Sequence, residues 1–270
     1  MAGDGNWPLP SAARMLFPRL LARGKVVSGV VPPMKFSYAT LILLAGVASL
    51  PAFAQDGGGI SSAAISRCAG KIGFDTRQAD PAFGFVALDG MPWATIERVD
   101  EKVGNQQIVT TVTGTGMRQR RDGSSVPFRF TCMINENGAA VVFHTSHLLP
   151  RLGDQLPPAV AVTGSATYTE KVQPPRGVEL QVQLLDVTKG SPGEVVAEQV
   201  VRTGWSVPIP FTLRLPKDSA VADRKFVLTA RLALGRQVLF KLVEPHPVAA
   251  ADLGKSIDLT LRKVEASGPK

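Results

Sequence analysis

Apolar and polar residues alternate in the C-terminal half of this chain, and the alternation limits what the chain can fold into. Val178, Leu180, Val182 and Leu184 are separated by single polar residues, which places the four apolar side chains on one face of a β-strand. Six other segments are also interpreted as strands: residues 162–169, 194–201, 211–215, 226–232, 238–242 and 257–261. The sequence therefore predicts seven short strands, each with one apolar face.

Seven such strands with turn signals between them favour two antiparallel sheets packed face to face. A parallel sheet would need crossover helices, and no segment in this half keeps a helical period for long enough. We therefore expect a mainly β protein in which residues 162–264 form an immunoglobulin-like antiparallel β-sandwich. Residues 265–270 are then a short tail.

Several motifs follow one another in this half of the chain: VELQVQLLDV at 178–187, VPIPFTL at 207–213, FVLTAR at 226–231, and Leu239-Phe240 leading to Pro247-Val248. In order and spacing they resemble the YbaY/YscW family, whose members are small β-sandwich lipoproteins of the bacterial envelope. The YscW branch serves as a chaperone, or pilotin, for the outer-membrane secretin ring of type III secretion. The resemblance implies a sandwich fold and a chaperone-like role for residues 162–264.

The preceding part, residues 55–150, has a different pattern. Ala64, Ile65, Cys68 and Ile72 have the spacing of one buried helix face, within a helix predicted over residues 61–72. Short strands are predicted at 83–88, 93–96, 107–117, 126–134 and 139–144. We expect a small α+β domain, with one helix on an antiparallel meander, joined to the sandwich by a proline-rich linker at 151–161.

The two cysteines of the chain, Cys68 and Cys132, fall on the predicted helix and on a predicted strand of this small domain. An even pair in an exported protein favours a disulfide over two free thiols. A metal site or a nucleophilic Cys68 would need histidines or a second ligand pair at suitable spacing. The sequence therefore predicts a Cys68–Cys132 disulfide that ties the helix to the sheet.

Export is predicted from residues 34–54, which have the features of a signal peptide. Lys35 precedes an apolar core, and Ala52-Phe53-Ala54 is the small-x-small pattern that signal peptidase cleaves after, so the mature chain would begin at Gln55. A membrane span needs about 20 mostly apolar residues, but the unbroken apolar run here is short and a proline precedes the cleavage pattern. Val47 stands where a lipobox would have its cysteine, so no lipid anchor follows.

Residues 1–33 are interpreted as a mis-assigned translation start before Met34, or as an extended leader; an amphipathic targeting segment is a further alternative. Removing residues 1–54 takes away five basic residues and one acidic residue, which lowers the formal net charge from +8 to +4. A modest excess of this size is normal for a soluble domain and does not indicate nucleic acid as a partner. We expect a periplasmic protein with no stable membrane span after cleavage.

Candidate binding residues are few. Arg118, Arg120 and Arg121 form a compact basic cluster at a predicted hairpin tip, where guanidinium groups could bind an anionic glycan, a lipid head group or an acidic peptide. A solvated turn is the alternative interpretation. Trp205 lies on a predicted loop, where it could serve binding or pack into a core.

Motifs for catalysis, metal or cofactor binding are weak. His144 and His147 end a strand, where their spacing directs them to opposite faces and argues against a shared metal ion. Gly114 and Gly116 lack the third glycine and the helix of a dinucleotide site and are interpreted as strand irregularity. We expect no cofactor. We expect a non-catalytic protein that binds an envelope protein or another envelope component, and an outer-membrane secretin is one candidate partner. A partner segment could bind by adding a strand to an edge of the sandwich. The alternative is a periplasmic enzyme that acts on envelope polymers between the two domains.

Overall fold

The fold is known from a computed structural model, which describes residues 60–149, 154–170, 172–190, 192–203, 207–220 and 223–265. The predicted signal peptide, the Ala54–Gln55 cleavage position and Trp205 lie outside the described residues. The elements are α1 (Ile60–Ala79), β1 (Phe83–Asp89), β2 (Thr95–Val103), β3 (Gln106–Arg120), β4 (Ser125–Asn135), β5 (Ala140–His147), β6 (Ala159–Tyr168), β7 (Glu179–Asp186), β8 (Glu194–Thr203), β9 (Ile209–Pro216), β10 (Phe226–Leu234), β11 (Gln237–Lys241), β12 (His246–Val248) and β13 (Ser256–Lys263).

The strands follow one another in the order β5-β4-β3-β1-β8-β7-β10-β11-β13-β6-β9, with β2 paired to β3 and β12 paired to β10. The last three strands of this order fold over the middle of the sheet, because apolar residues of β6, β9 and β13 share one buried cluster with those of β7, β8 and β10. This arrangement is the predicted mainly β, sandwich-like fold, which the structure confirms. Each of the seven strands predicted in residues 162–264 is present, and β12, only three residues long, was too short for a period to reveal.

One pairing differs from the antiparallel expectation. β6 and β13 run parallel, with Ala166 opposite Leu259. Parallel neighbours need a long crossover connection, and here the connection is not a helix but the strands from β7 to β12. A crossover built from strands leaves no helical period in the sequence, and the parallel pairing was therefore not predicted.

Two hydrophobic cores lie on the two faces of the sheet. The first lies inside the sandwich, where Leu180 and Val182 of β7 share the core with Phe211 and Leu213 of β9. The second lies under α1, where the helix packs against β1, β3 and β4; its members include Ile65, Ile72, Val112, Phe128 and Ile134. Burial of these apolar faces accounts for both the strand alternation and the helix period seen in the sequence.

The predicted disulfide between Cys68 and Cys132 is confirmed. It joins α1 to β4 with 6.0 Å between the two Cα atoms, and both side chains are fully buried in the core under the helix. The helix is longer than predicted, since it continues past Ile72 to Ala79. This additional length brings the last turn of α1 to the candidate site described below.

The predicted small domain and the predicted sandwich share one sheet. β1 pairs with β3 on one side and with β8 on the other, with Ala87 opposite both Met117 and Val201. α1 also reaches β7, where the Ser62 hydroxyl donates a hydrogen bond at 3.3 Å to Gln181. β6 begins at Ala159, inside the segment predicted as a linker, and the domain boundary itself stays a prediction.

Gly114 and Gly116 lie in regular strand pairing rather than in an irregular stretch. Gly116 is opposite Phe128 on β4 and opposite Leu88 on β1. A Cβ at Gly116 would lie 2.6 Å from the Ala87 carbonyl oxygen and 2.8 Å from the Phe128 ring. The glycine is therefore explained by the close approach of its neighbours, and the interpretation as strand irregularity was wrong.

A search for helices long and apolar enough to cross a membrane finds none in the part of the chain that the structure describes.

Candidate functional site

The three arginines of the β3–β4 hairpin do not act together. Arg118 packs back onto the sheet: its guanidinium carbon lies 4.6 Å from the centre of the Phe128 ring, and its Nη2 donates a 2.6 Å hydrogen bond to Thr145. Burial lowers the pKa of Arg118, and its Nε has no partner among the described residues. Arg118 is thus a packing residue, separate from the other two.

Arg120 and Arg121 instead line a cavity of about 610 Å³ at the end of the sheet. Arg120 is anchored there, since its guanidinium lies 3.5 Å from the Asp80 carboxylate and 5.0 Å from the centre of the Phe83 ring. The backbone N–H of Arg121 donates to the Ala82 carbonyl oxygen at 2.9 Å. The turn after β3 therefore holds Arg121 against the loop between α1 and β1.

A second cavity of about 540 Å³ adjoins the first and shares Arg77 and Arg121 with it. Arg77 comes from the last turn of α1 and Arg202 from β8, and both line this second cavity. We call the two cavities together the arginine groove. Its charged residues are Arg77, Arg120, Arg121, Arg176 and Arg202.

The floor of the arginine groove is fixed by a buried ion pair. Arg202 donates a 2.6 Å hydrogen bond to Glu179 of β7, whose side chain is only 5% exposed. The Ser66 hydroxyl of α1 donates to the other carboxylate oxygen of Glu179. Burial raises the pKa of Glu179, while the bonds from Ser66 and Arg202 oppose that rise. Arg202 is therefore oriented by its partner and neutralised by it.

Arg77 and Arg121 have no such neutralising partner, because no carboxylate of the described residues forms an ion pair with either. Burial lowers the pKa of Arg77, and the positive charges of Arg202 and Arg121 lower it further. Burial is the larger cause, and repulsion between like-charged guanidinium groups adds to it. Among the described residues, the positive charges of Arg77 and Arg121 therefore have no carboxylate paired with them.

Apolar residues form the rest of the groove. Phe74 projects from α1 with 59% of its surface exposed, and Phe83 and Phe85 of β1 line the first cavity together with Pro208 and Pro210. Aromatic and arginine side chains are the types enriched at protein interfaces. The arrangement can thus bind a ligand that presents both anionic and apolar groups.

Sequence reasoning found Arg120 and Arg121 but missed Arg77, Arg202 and Phe74. The predicted helix ends at Ile72, and Arg77 lies beyond that end. The buried face of the helix continues through Ala69, Ile72 and Thr76, although Thr76 is polar and does not extend the apolar period. Extending the helix along this face would have placed Arg77 in its last turn.

The two ends of the strand order offer unequal edges for strand addition. On β9, the Thr212 N–H donates at 2.9 Å to the Gln199 side chain, and the Arg214 carbonyl accepts a 2.5 Å bond from the Trp93 indole. Pro210 and Pro216 have no N–H to donate. This edge is therefore closed, whereas β5 is the terminal strand at the other end of the order.

The histidines of β5 lie apart from the arginine groove. His144 pairs with Thr131 on β4, and His147 pairs with Phe128. His144 and Ser146 line a cavity of about 380 Å³ together with Trp93, Phe130 and several threonines. No group of three or more potential metal ligands occurs in residues 60–265 where the structure describes them.

Comparisons with known proteins concern the sandwich half of the chain. Residues 157–261 match the model of the family described as Type III secretion system lipoprotein chaperone (YscW). A solved structure, an alternative pilotin from the type II secretion system of Vibrio cholerae, is 24% identical, with 39% of this chain and 97% of that chain covered and a TM-score of 0.36. The comparison with curated proteins gave no match. Residues 157–261 of this chain are thus similar to the YscW family of type III secretion lipoprotein chaperones, as the sequence motifs predicted.

Proposed function

We propose that this chain is an exported envelope protein that binds another envelope protein and acts as a non-catalytic chaperone of the pilotin-related kind. The observation that carries the proposal is the match of residues 157–261 to a family of secretion-system lipoprotein chaperones. An outer-membrane secretin is the candidate partner, since the YscW branch serves such rings.

The arginine groove supports this proposal by supplying a place for a partner. It combines Arg77 and Arg121, which pair with no carboxylate of the described residues, with the exposed side chain of Phe74, and such a combination is typical of binding surfaces rather than of a structural core. Much of the groove comes from α1 and the β3–β4 hairpin, which lie outside the YscW-like residues 157–261. The N-terminal part of the chain would therefore add a binding surface to the chaperone-like sandwich.

Export is part of the proposal and depends on the signal peptide predicted at residues 34–54. The mature protein would begin at Gln55 and lack a lipid anchor, because Val47 replaces the lipobox cysteine. A periplasmic chaperone without a lipid would hold its partner in solution instead of carrying it to the membrane on its own anchor. Mass spectrometry of the purified mature protein tests this, and a chain that still contains residues 34–54 would contradict it.

The experiment that tests the function is crosslinking in cells, with the tagged chain purified from the envelope and every attached protein identified by mass spectrometry. We expect a secretin or another outer-membrane assembly protein among the crosslinked products. The matched control is the same tagged chain without residues 1–54, which stays in the cytoplasm and should lose those products. Recovery of the exported chain with no envelope protein attached would contradict the proposed function.

A further inference from the structure

The arginine groove is positively charged, as a binding site for an anionic partner would be. Arg202 is paired with Glu179 at 2.6 Å and Arg120 with Asp80 at 3.5 Å, but Arg77 and Arg121 pair with no carboxylate among the described residues. Both cavities of the groove are lined by Arg77 and Arg121, and no acidic residue of the described part of the chain lines either cavity. A bound anion would thus relieve the mutual repulsion of these guanidinium groups.

The groove also has an apolar component that a small inorganic anion would not use. Phe83, Phe85, Pro208 and Pro210 lie along the first cavity, and Phe74 and Pro81 lie along the second. Phe74 is exposed although it is a large aromatic side chain. Covering such a residue on binding removes apolar surface from water and stabilises the complex.

The volumes of the two cavities, and the order of apolar and charged regions along the groove, fit a bound peptide. Each cavity, at about 610 Å³ and 540 Å³, is within the range of a site for a small ligand. Because the two cavities share Arg77 and Arg121, the shared arginines lie between two partly apolar recesses. A chain with carboxylates between apolar side chains matches this order, since guanidinium groups bind carboxylates in a two-bond fork.

We propose that the arginine groove binds an acidic segment of a partner protein, with carboxylates paired to Arg77 and Arg121 and flanking apolar side chains seated in the two cavities. The proposal rests on the proposed function, because it names the chemistry by which the envelope partner is recognised. It places recognition on α1 and the β3–β4 hairpin, while Arg202 of β8 lines the second cavity.

The first test measures binding of a short fluorescein-labelled peptide in which Asp and Glu alternate with Phe and Leu, by fluorescence anisotropy. A matched peptide has Asn and Gln in place of the acids. We expect the acidic peptide to bind at least about tenfold more tightly, the change typical of losing charge-assisted hydrogen bonds. We also expect its affinity to fall as salt is raised. Equal binding of the two peptides would overturn the proposal.

The second test uses the double variant R77A/R121A, which should weaken binding of the acidic peptide at least about tenfold. R262A is the matched control, since Arg262 is an exposed arginine on β13 outside the groove. The affinity of R262A for the acidic peptide should stay within about twofold of the wild-type value. F74A should weaken binding of both peptides. Circular dichroism and a thermal melt of each variant establish that it is folded, and unchanged binding by folded R77A/R121A would contradict the assignment.

Lipid is the competing occupant. Vesicles of phosphatidylglycerol and phosphatidylcholine are tested by flotation with the wild-type chain and with R77A/R121A. Vesicle binding that is lost in the double variant, together with no binding of the acidic peptide, would overturn the peptide proposal and assign the groove to anionic head groups. Absence of vesicle binding with retained peptide binding supports the proposal.

Crosslinking in cells separates this proposal from the proposed function. If the wild-type chain captures an outer-membrane partner and R77A/R121A does not, both stand. If both chains capture the same partner equally, the groove is not the recognition site, and the proposed function stands without it. If the exported wild-type chain captures no envelope protein, the proposed function fails, whatever the peptide measurements give.

Discussion

Arg202 of β8 and Glu179 of β7 form an ion pair, with 2.6 Å between Nη1 and Oε1, directly beneath α1. Gly70 and Gly73 of the helix lie over this pair: a Cβ built at Gly70 would be 3.5 Å from Arg202 Nη1, and one at Gly73 would be 2.9 Å from Arg202 Cγ. The helix can therefore approach the sheet closely at these two positions. The pair joins β8 to β7, and the Ser66 hydroxyl of α1, which covers this face of the sheet, donates a hydrogen bond to Glu179.

The two glycines are expected to respond oppositely to alanine. Gly70→Ala should stabilise the protein by about 0.5–1 kcal/mol, because alanine has the higher helix propensity and its Cβ has ordinary contacts at this position. Gly73→Ala should lose that gain or destabilise, because its Cβ would collide with the stem of Arg202. Urea unfolding of the two variants beside the wild type checks this. A stabilising Gly73→Ala would show that Arg202 can move aside.

Glu179 is expected to make stability depend on pH. Burial raises its pKa above the ordinary value of 4.5, so in the window just above that value the folded state holds a proton that the unfolded state has released. The free energy of unfolding contributed by this group is therefore largest at low pH and falls as pH rises through the raised pKa. Urea unfolding at a series of pH values, with Glu179→Gln as the reference, measures the contribution. Identical pH slopes for the two proteins would contradict it.

The disulfide is expected to make a large contribution to stability. It closes a loop between residues 64 positions apart, for which the chain-entropy model gives about 4 kcal/mol. Chemical unfolding of the double variant C68A/C132A should show a loss of that order. Wild-type protein treated with a reductant should lose a similar amount, while the double variant should not respond to the reductant. A much smaller loss in the free energy of unfolding would mean that the unfolded chain gains little conformational entropy when the disulfide is removed.

Gly164 is expected to be essential for the packing of β6. A Cβ there would collide with the Ile257 carbonyl oxygen on the parallel neighbour β13 and lie 2.5 Å from Phe211 Cζ. Gly164→Ala should destabilise the protein by about 1–3 kcal/mol through overpacking. Gly84→Ala is the control, because the nearest atom to its Cβ is 3.8 Å away. Thermal melts that shift equally for both variants would argue against the close approach of β6 and β13.

Gln199 is expected to maintain the closed edge of β9. Its side chain accepts from the Thr212 N–H at 2.9 Å and donates to Asp89 at 3.3 Å. Gln199→Leu removes both bonds and leaves a backbone donor without a partner, which should cost about 1–3 kcal/mol. Gln237→Leu, at an exposed position of β11, serves as the control in the same unfolding measurement. If Gln199→Leu leaves the free energy of unfolding unchanged, water must reach the Thr212 N–H and replace the lost bond.

Much of the fold could be predicted from local pattern. Alternation at Val178, Leu180, Val182 and Leu184 determines which side of β7 faces the sandwich core, since a strand directs successive side chains to opposite faces. The same alternation located four of the other six strands of this half, at 211–215, 226–232, 238–242 and 257–261. The helix period located α1 and Cys68 on its buried face, and the cysteine count led to the disulfide partner. These features depend on short stretches of sequence, and therefore sequence alone reveals them.

The candidate site was predictable only in part, because its charges come from distant segments. Arg120 and Arg121 are neighbours in the sequence and were found. Arg77 and Arg202 join them only because α1 packs across β1 and β8, which no local period can indicate. In the sequence, Arg118 looked like a third member of the cluster, but its side chain turns onto Phe128 and Thr145.

The sequence by itself determined the seven longer strands of residues 162–264 with their apolar faces, the first turns of α1, the cysteine pair and the YscW-like motifs, because each of these depends on residues close together in the chain or on an even pair of cysteines. Only the tertiary structure decided that β6 and β13 run parallel and that α1 covers the polar side of β7. Glu179 and Gln181 occupy positions that a period of two assigns to the polar face, yet the helix buries both. Their burial depends on where α1 docks, and docking is settled by the combined apolar surface of the whole sheet rather than by any one strand.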